Sequence, residues 1–263
     1  MALGCYCHAK YSKIDILKVP QESATLLFGR CFFGFVSYMG QFVGIYCLPF
    51  SLAVVLYFTQ PISAAVVSYI FNGESLSPLQ IISIFFALFG VIVLTNPTFV
   101  FPFLSEEDAI GYSKSDYPHF NLGVFSALFG SVMSGFAYLC MRKLGTTVHS
   151  VLNPLWFGNF SVVSCFVVAA ALSDEILIPL SWYDIGLLLS MGILGWIAQE
   201  GVSKAIQVEK AGRAAPLNYL QVVIAWIFEI TCFDGHMKWT DIIGTLSIMV
   251  FTFINSVSKG FCS

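Results

Sequence analysis

Glu200 and Lys204 are the ionisable residues whose types and spacing best fit an ion pair inside an apolar stretch, LLLSMGILGWIAQEGVSKAIQV. A carboxylate and an ammonium group four positions apart share one face of a helix and can attract each other. Within a membrane such a pair predicts a solute site or a gate. The alternative is structural, because Lys204 lies near the end of the stretch and can extend its ammonium group into the interface.

Uncharged polar side chains also occur inside apolar runs. Gln60 directly precedes Pro61, and a proline within a helix frees a carbonyl about one turn earlier. Membrane helices tolerate that where a neighbour or a water-filled cavity satisfies the freed group, so the dipeptide predicts either a cavity wall or a simple bend. The candidate residues for a midplane cavity and its inner gate are Tyr57, Gln60, Tyr138, Asn159, Gln199, Glu200, Lys204, Asn218 and Gln221.

The sequence has no pattern for covalent, metal or nucleotide chemistry. The histidines are far apart and are predicted in loops or at span ends, namely His8, His119, His149 and His236. That distribution offers no metal-ligand spacing. Neither a G-x-S-x-G motif nor a phosphate-binding loop occurs. We therefore expect no metal, no cofactor, no nucleic-acid partner and no enzymatic activity.

Long apolar runs must position these polar residues. Only 10% of the chain is charged, against about 25% in soluble domains, and its mean hydropathy is +0.83. The lipid bilayer is thus the expected surroundings, and the fold class is an all-α polytopic membrane protein. At about 20 apolar residues per crossing, the predicted spans are 24–47, 50–71, 79–100, 121–141, 151–172, 184–204, 214–233 and 240–259.

The cations predict the orientation in the membrane. With the amino end in the cytoplasm, every lysine and arginine except Lys114 and Lys238 lies in a cytoplasmic loop or span end, Arg30 included. Cytoplasmic loops carry such an excess of cations in membrane proteins. We expect an integral, multi-pass protein with both termini in the cytoplasm, in the plasma membrane or an endomembrane.

Small residues recur at four-residue spacing in two of these spans. Gly40 and Gly44 lie in the first span, and Ser126, Gly130 and Ser134 lie in the fourth. Such stripes let neighbouring helices approach closely. Close helix packing is therefore the first interpretation, and a substrate groove beside Gly40 is the alternative.

An internal repeat relates the two parts of the chain. Gln60 and Gln221 occupy equivalent places relative to the turns that follow them, although their spans run in opposite directions through the membrane. An inverted repeat is how many secondary transporters are built. We predict a first half at residues 1–100, an acidic extracytoplasmic loop at 101–120 and a second half at 121–263.

The order of several stretches resembles one known superfamily. They are TLLFGRCFFGFV, LPFSLAVVLYFTQPISAAVVSYIFNGESLSPLQ, GVIVLTNP and GWIAQEGVSKAIQVEKAGRAAPLNYLQVV. They are similar to the EamA-type drug/metabolite transporter superfamily, and within it to the G-type members of the solute carrier 35 family. The resemblance implies ten helices in two inverted halves and alternating access to a central cavity. Its members move nucleotide sugars, amino acids, organic anions or other metabolites.

The chain departs from that pattern by having about eight predicted transmembrane helices. Only three spans precede the acidic loop, so the first two helices of the family fold are missing. Residues 1–9 resemble the tail of an apolar helix, and we expect an amino-terminally incomplete chain; an eight-span protein is the alternative. The expected function is secondary transport of a small-molecule metabolite, with an anion among the candidates and a homodimer left open. The alternatives are a non-transporting scaffold or regulator and a membrane-embedded transferase.

Overall fold

The structure is a computed structural model that describes residues 2–11, 20–48, 53, 56–73, 78–95, 117–172 and 181–208, with isolated positions at 220, 224, 227, 242–244, 246–250 and 254. All regular secondary structure in these residues is helical. The helices are α1 (Ala2–Tyr11), α2 (Gln21–Cys47), α3 (Gln60–Asn72), α4 (Pro78–Thr95), α5 (Phe120–Leu144), α6 (Leu152–Leu172) and α7 (Trp182–Val208).

Four stretches of this helical part are long and apolar enough to cross a bilayer, by length and composition. They are Ser23–Cys47, Phe120–Leu144, Leu152–Ala171 and Trp182–Val208. These stretches coincide with four predicted spans, at 24–47, 121–141, 151–172 and 184–204. The predicted spans 214–233 and 240–259 lie mostly outside the described residues, so the total helix number stays a prediction.

Contacts between residues divide the chain into two compact units, and helices α2 and α5 supply residues to both. The first unit comprises Met1–Phe35 and Cys140–Glu209. In it, α1 packs against α6 and α7. Its apolar core consists of Cys5, Ala9, Leu27, Leu144, Val148, Val151, Leu152 and Leu155, with Leu26 and Trp196 packed against them. The amino-terminal residues therefore form a helix that packs within the first unit.

The second unit comprises Val36–Leu139 and Lys210–Ser263. In this unit α2 and α5 approach each other through the small residues of both stripes. A Cβ atom added to Gly40 would lie 2.6 Å from the backbone oxygen of Ser126, and one added to Gly130 would lie 2.8 Å from that of Ser37. No side chain fits at such separations, which confirms the prediction of close helix packing here. The division by contacts does not test the predicted sequence halves.

Helix α3 ends at a glycine in the left-handed conformation. Asn72 is its last residue, and Gly73 follows with a φ of 64°. This left-handed conformation favours glycine because a Cβ atom would strain it. The backbone N–H of Gly73 donates to the carbonyl oxygen of Ser68, which satisfies one of the carbonyls left open at the helix end.

Candidate functional site

The polar start of α3 forms the first part of the candidate site. Phe58 and Thr59 form a turn after the helical positions Leu56 and Tyr57. The Thr59 hydroxyl lies 2.7 Å from the Leu56 carbonyl oxygen, to which it donates, and 2.8 Å from the Ser131 hydroxyl. The sequence predicts one continuous helix through this point, with either a cavity wall or a simple bend at Pro61. Instead Pro61 lies in the first turn of α3, where its missing N–H leaves no hydrogen bond unmade.

A buried hydrogen bond joins α3 to α5 beside this turn. Gln60 Nε2 donates to the Tyr138 hydroxyl at 2.5 Å, and both side chains are buried. One turn further along α3, the Ser63 hydroxyl lies 3.0 Å from the Ser131 hydroxyl. We refer to Thr59, Gln60, Ser63, Ser131 and Tyr138 as the Gln60 cluster. All its members belong to the second unit.

A glycine on α5 makes these short distances between the two helices feasible. A Cβ atom at Gly135 would lie 3.0 Å from the backbone of Ser63, so the helix backbones nearly touch there. The Gln60 cluster carries one amide and four hydroxyl groups and no formal charge. Such groups both donate and accept hydrogen bonds, so the cluster can bind a polar solute by exchanging partners. Tyr57 lies half-buried just before the turn.

A second polar group lies in the first unit, around a buried arginine. Arg30 on α2 is only 3% exposed. Its Nη2 donates to Gln199 Oε1 of α7 at 3.0 Å, and its Cζ lies 4.5 Å from the centre of the Phe157 ring of α6. Its Nε has no hydrogen-bond partner among the described residues. We refer to Arg30, Phe157 and Gln199 as the Arg30 cluster.

Glu200 has a partner that differs from the predicted one. Its Oε2 lies 3.2 Å from Nδ1 of His8 on α1, while the Lys204 side chain is exposed. The expected pairing of Glu200 with Lys204 is therefore not formed in the structure. The reason is tertiary: α1 packs on α7 and brings His8 to the carboxylate, whereas Lys204 extends outward. His8 lies in the last turn of α1.

The other predicted site residues are placed as follows. Asn159 is exposed on α6, and Gln199 is half-buried in contact with Arg30. Asn218 and Gln221 lie outside the described residues, so the second glutamine of the repeat is untested. Of the predicted set, the structure thus brings together Gln60 and Tyr138.

Sequence reasoning missed Arg30, Thr59, Ser63 and Ser131. The signal for Arg30 was its position six residues inside the predicted span 24–47, too deep for a cation at the interface. Ser131 adjoins the small-residue stripe at Gly130, but only the fold places it against α3. Across the residues that the structure describes, no group of three potential ligands is arranged to hold a metal ion.

Apolar helices of bilayer length that bury polar clusters define an integral, multi-pass membrane protein. The sequence model of the EamA-like transporter family matches residues 2–96 and residues 121–257 of this chain. The chain belongs to that family.

Two curated relatives and one solved structure support this placement. Mouse solute carrier family 35 member G1 is 28% identical over 233 residues, which are 89% of this chain and 62% of that protein. A probable transport protein of Saccharomyces cerevisiae is 27% identical over 240 residues, 89% of this chain and 67% of its own length. A crystal structure with 14% identity has a TM-score of 0.77 over 98% of this chain and 85% of that one, which shows a shared fold.

Both relatives bear transporter names, in agreement with the family match. The chain spans 62% of the length of the mouse relative, so the whole protein's activity does not follow from the match alone.

Proposed function

We propose that this chain belongs to a secondary transporter that moves a small organic metabolite across a membrane by alternating access. Family membership and the transporter names of its relatives support the general class. The two matched stretches lie on either side of residues 101–120, which supports the proposed division into halves. Their inverted relation is part of the proposal. The excess of cations in the loops assigned to the cytoplasm supports a cytoplasmic location of both termini.

The single observation that carries the proposal is the Gln60 cluster. It combines a helix interruption with a buried amide–hydroxyl hydrogen bond. Interrupted helices at membrane depth are tolerated where they line a cavity or are buried in protein, and transporters use them to bind solutes. A purely structural helix contact gains little from an interruption, because a continuous helix satisfies its own backbone.

The energetics of the cluster suit reversible binding. A neutral intramolecular hydrogen bond contributes about 0.5–1.5 kcal/mol net to stability. A solute hydroxyl or carboxylate can therefore replace the contact between Gln60 and Tyr138 at small net cost. Tyr57, Asn159, Asn218 and Gln221 are further proposed cavity residues, and Lys204 is a proposed inner-gate residue.

The test is flux through proteoliposomes that contain the full chain. Uptake of labelled succinate, glutamine and UDP-glucose samples an organic anion, an amino acid and a nucleotide sugar. Gln60→Ala is compared with Gln207→Ala, a matched control because Gln207 is also 7% exposed and makes one buried hydrogen bond, to the Val148 carbonyl.

We expect at least one solute to be taken up, and Gln60→Ala to lower uptake per folded molecule about tenfold, as the loss of about 1.4 kcal/mol of binding predicts. Gln207→Ala should lower the folded amount and leave uptake per folded molecule unchanged. Equal uptake by Gln60→Ala and wild type would refute the site assignment. No flux of any solute, with the protein folded, would favour a non-transporting scaffold.

A further inference from the structure

Arg30 carries a positive charge that the described fold does not neutralise. It lies seven residues after the start of the apolar stretch Ser23–Cys47, about 10 Å along the helix. Its side chain is nine-tenths buried, so the guanidinium does not extend to an interface. In the part of the chain that the structure describes, the carboxylate in an ion pair is Glu200, and its partner is His8.

The partners that Arg30 has among the described residues leave its Nε donor open. A guanidinium has five N–H donors in a planar fork. Here one donor, on Nη2, reaches Gln199 Oε1, and the Phe157 ring covers one face of the group. Nε, which could form the second donor of a bidentate contact, is buried without a partner among the described residues. The Gln199 amide oxygen thus accepts from Nη2, while the neighbouring Nε–H has no acceptor among the described residues.

The surroundings of Arg30 are shaped to hold the guanidinium in place. A Cβ atom on Gly34 would lie 2.3 Å from Nη1 of Arg30 and 3.1 Å from the Phe157 ring. Any larger residue at position 34 would therefore displace the guanidinium. Three helices, α2, α6 and α7, contribute to this arrangement, and all contacts lie within the first unit.

A buried cation is costly unless it is paired, and Arg30 has no ion-pair partner among the described residues. Ionisable residues inside membrane segments commonly mark paths for solutes and ions. We propose that Arg30 is the anion-binding residue of this protein and that its ligand is a small oxyanion, either a carboxylate or a phosphate group of the solute. The anion occupies two parallel N–H donors and displaces the Gln199 amide oxygen, while Phe157 keeps the group in position.

The proposal rests on the proposed transport function for the route to Arg30, because alternating access must expose a side chain that is buried here. It does not rest on which solute crosses. Binding can therefore be measured without flux, and the two ideas can fail separately.

The experiment measures the thermal unfolding midpoint of the full chain in neutral detergent at fixed ionic strength. The probes are succinate, inorganic phosphate and succinamide, the last being an uncharged match for succinate. Wild type is compared with Arg30→Gln, Arg30→Lys and the control Arg142→Gln. Arg142 is half-buried at the end of α5 and donates to the Gln207 carbonyl oxygen, so its replacement removes the same charge elsewhere.

We expect succinate or phosphate to raise the midpoint of wild type and of Arg142→Gln, and succinamide to leave it unchanged. Arg30→Gln should weaken the apparent affinity roughly tenfold to a hundredfold, the range for a charge-assisted hydrogen bond. Arg30→Lys should lie between them, because it keeps the charge and loses the fork. Without ligand, Arg30→Gln should melt at or above the wild-type midpoint, since it removes a buried charge that has no counter-ion among the described residues.

Four results would overturn the proposal. One is an equal anion response in wild type and Arg30→Gln. Another is a lower ligand-free midpoint of Arg30→Gln together with no anion response in wild type, which would make Arg30 a structural residue. The third is a response to phosphatidylglycerol micelles but not to succinate or phosphate, which would make the anion a lipid head group. Flux of a neutral solute without anion binding would refute this site and leave the transport function standing.

Discussion

At the scale of single residues, two buried polar side chains, Gln60 and Arg30, have partners that are distant in the sequence but differ in charge. Gln60 and Tyr138 are 78 positions apart, and Arg30 and Gln199 are 169 apart. Gln60 is satisfied by a neutral hydroxyl, whereas Arg30 places its charge beside an amide oxygen. This difference in charge is why we propose the first cluster for hydrogen-bond exchange and the second for an anion.

The contact between His8 and Glu200 gives a prediction at this scale. The side chains are 34% and 21% exposed, so water screens their attraction. We expect a double-mutant cycle of His8→Ala and Glu200→Ala to yield a coupling of about 0.2–1 kcal/mol in the free energy of unfolding.

The matched cycle is Glu200→Ala with Lys204→Ala. It should show no coupling, because the exposed Lys204 does not contact the carboxylate in the structure. A stronger coupling to Lys204 than to His8 would restore the interpretation drawn from the sequence.

The sequence could predict part of the candidate site and not the rest. Gln60 was predictable because an amide beside a proline in an apolar run is unusual in itself. Arg30 was counted as a cytoplasmic cation, since hydropathy and charge counts record a residue's neighbours along the chain. Its burial depends on Phe157 and Gln199, which only the fold brings to it.

At the scale of helices, the length of the apolar runs is the feature of the sequence that best predicts the long helices. The helices Phe120–Leu144 and Leu152–Leu172 lie close to their predicted spans, because some 20 apolar residues specify a membrane helix without reference to other parts of the chain. The interruption before α3 was not predictable, because Thr59 bonds to Ser131 on another helix. Helix α1 is short, so its composition alone predicts it poorly. In the structure it is identified by its packing against α6 and α7.

The contact between α2 and α5 gives the prediction for this scale. Gly130→Ala places a methyl group 2.8 Å from the Ser37 backbone oxygen, so one helix must shift. We expect a loss of about 1–3 kcal/mol of stability, typical of overpacking. The measurement is the thermal unfolding midpoint in a single detergent.

Gly195→Ala is the control for helix propensity, because nothing lies within 4 Å of its added Cβ atom. It should gain up to about 1 kcal/mol, the propensity difference between glycine and alanine. A midpoint of Gly130→Ala at or above that of Gly195→Ala would contradict the close contact between α2 and α5.

At the scale of the whole molecule, the proposed orientation follows from the cations that lie at the ends of the apolar helices. Helix α5 shows this clearly, because Arg142 and Lys143 lie in its last turn while its first turn has no acidic residue. Its 25 residues span about 37 Å, enough to cross the hydrocarbon core. His119 and Lys143 therefore belong to opposite sides of the membrane if α5 crosses it, and the positive-inside rule assigns Lys143 to the cytoplasm.

This orientation predicts which positions a membrane-impermeant maleimide reaches in sealed vesicles of known sidedness. His119→Cys should be labelled only from the extracytoplasmic side and Lys143→Cys only from the cytoplasmic side; both native side chains are exposed. Mass spectrometry of the labelled peptides separates these sites from the native cysteines, and permeabilised vesicles provide the control for reactivity. The reverse labelling would invert the proposed topology, and labelling of both positions from one side would mean that α5 does not cross the bilayer.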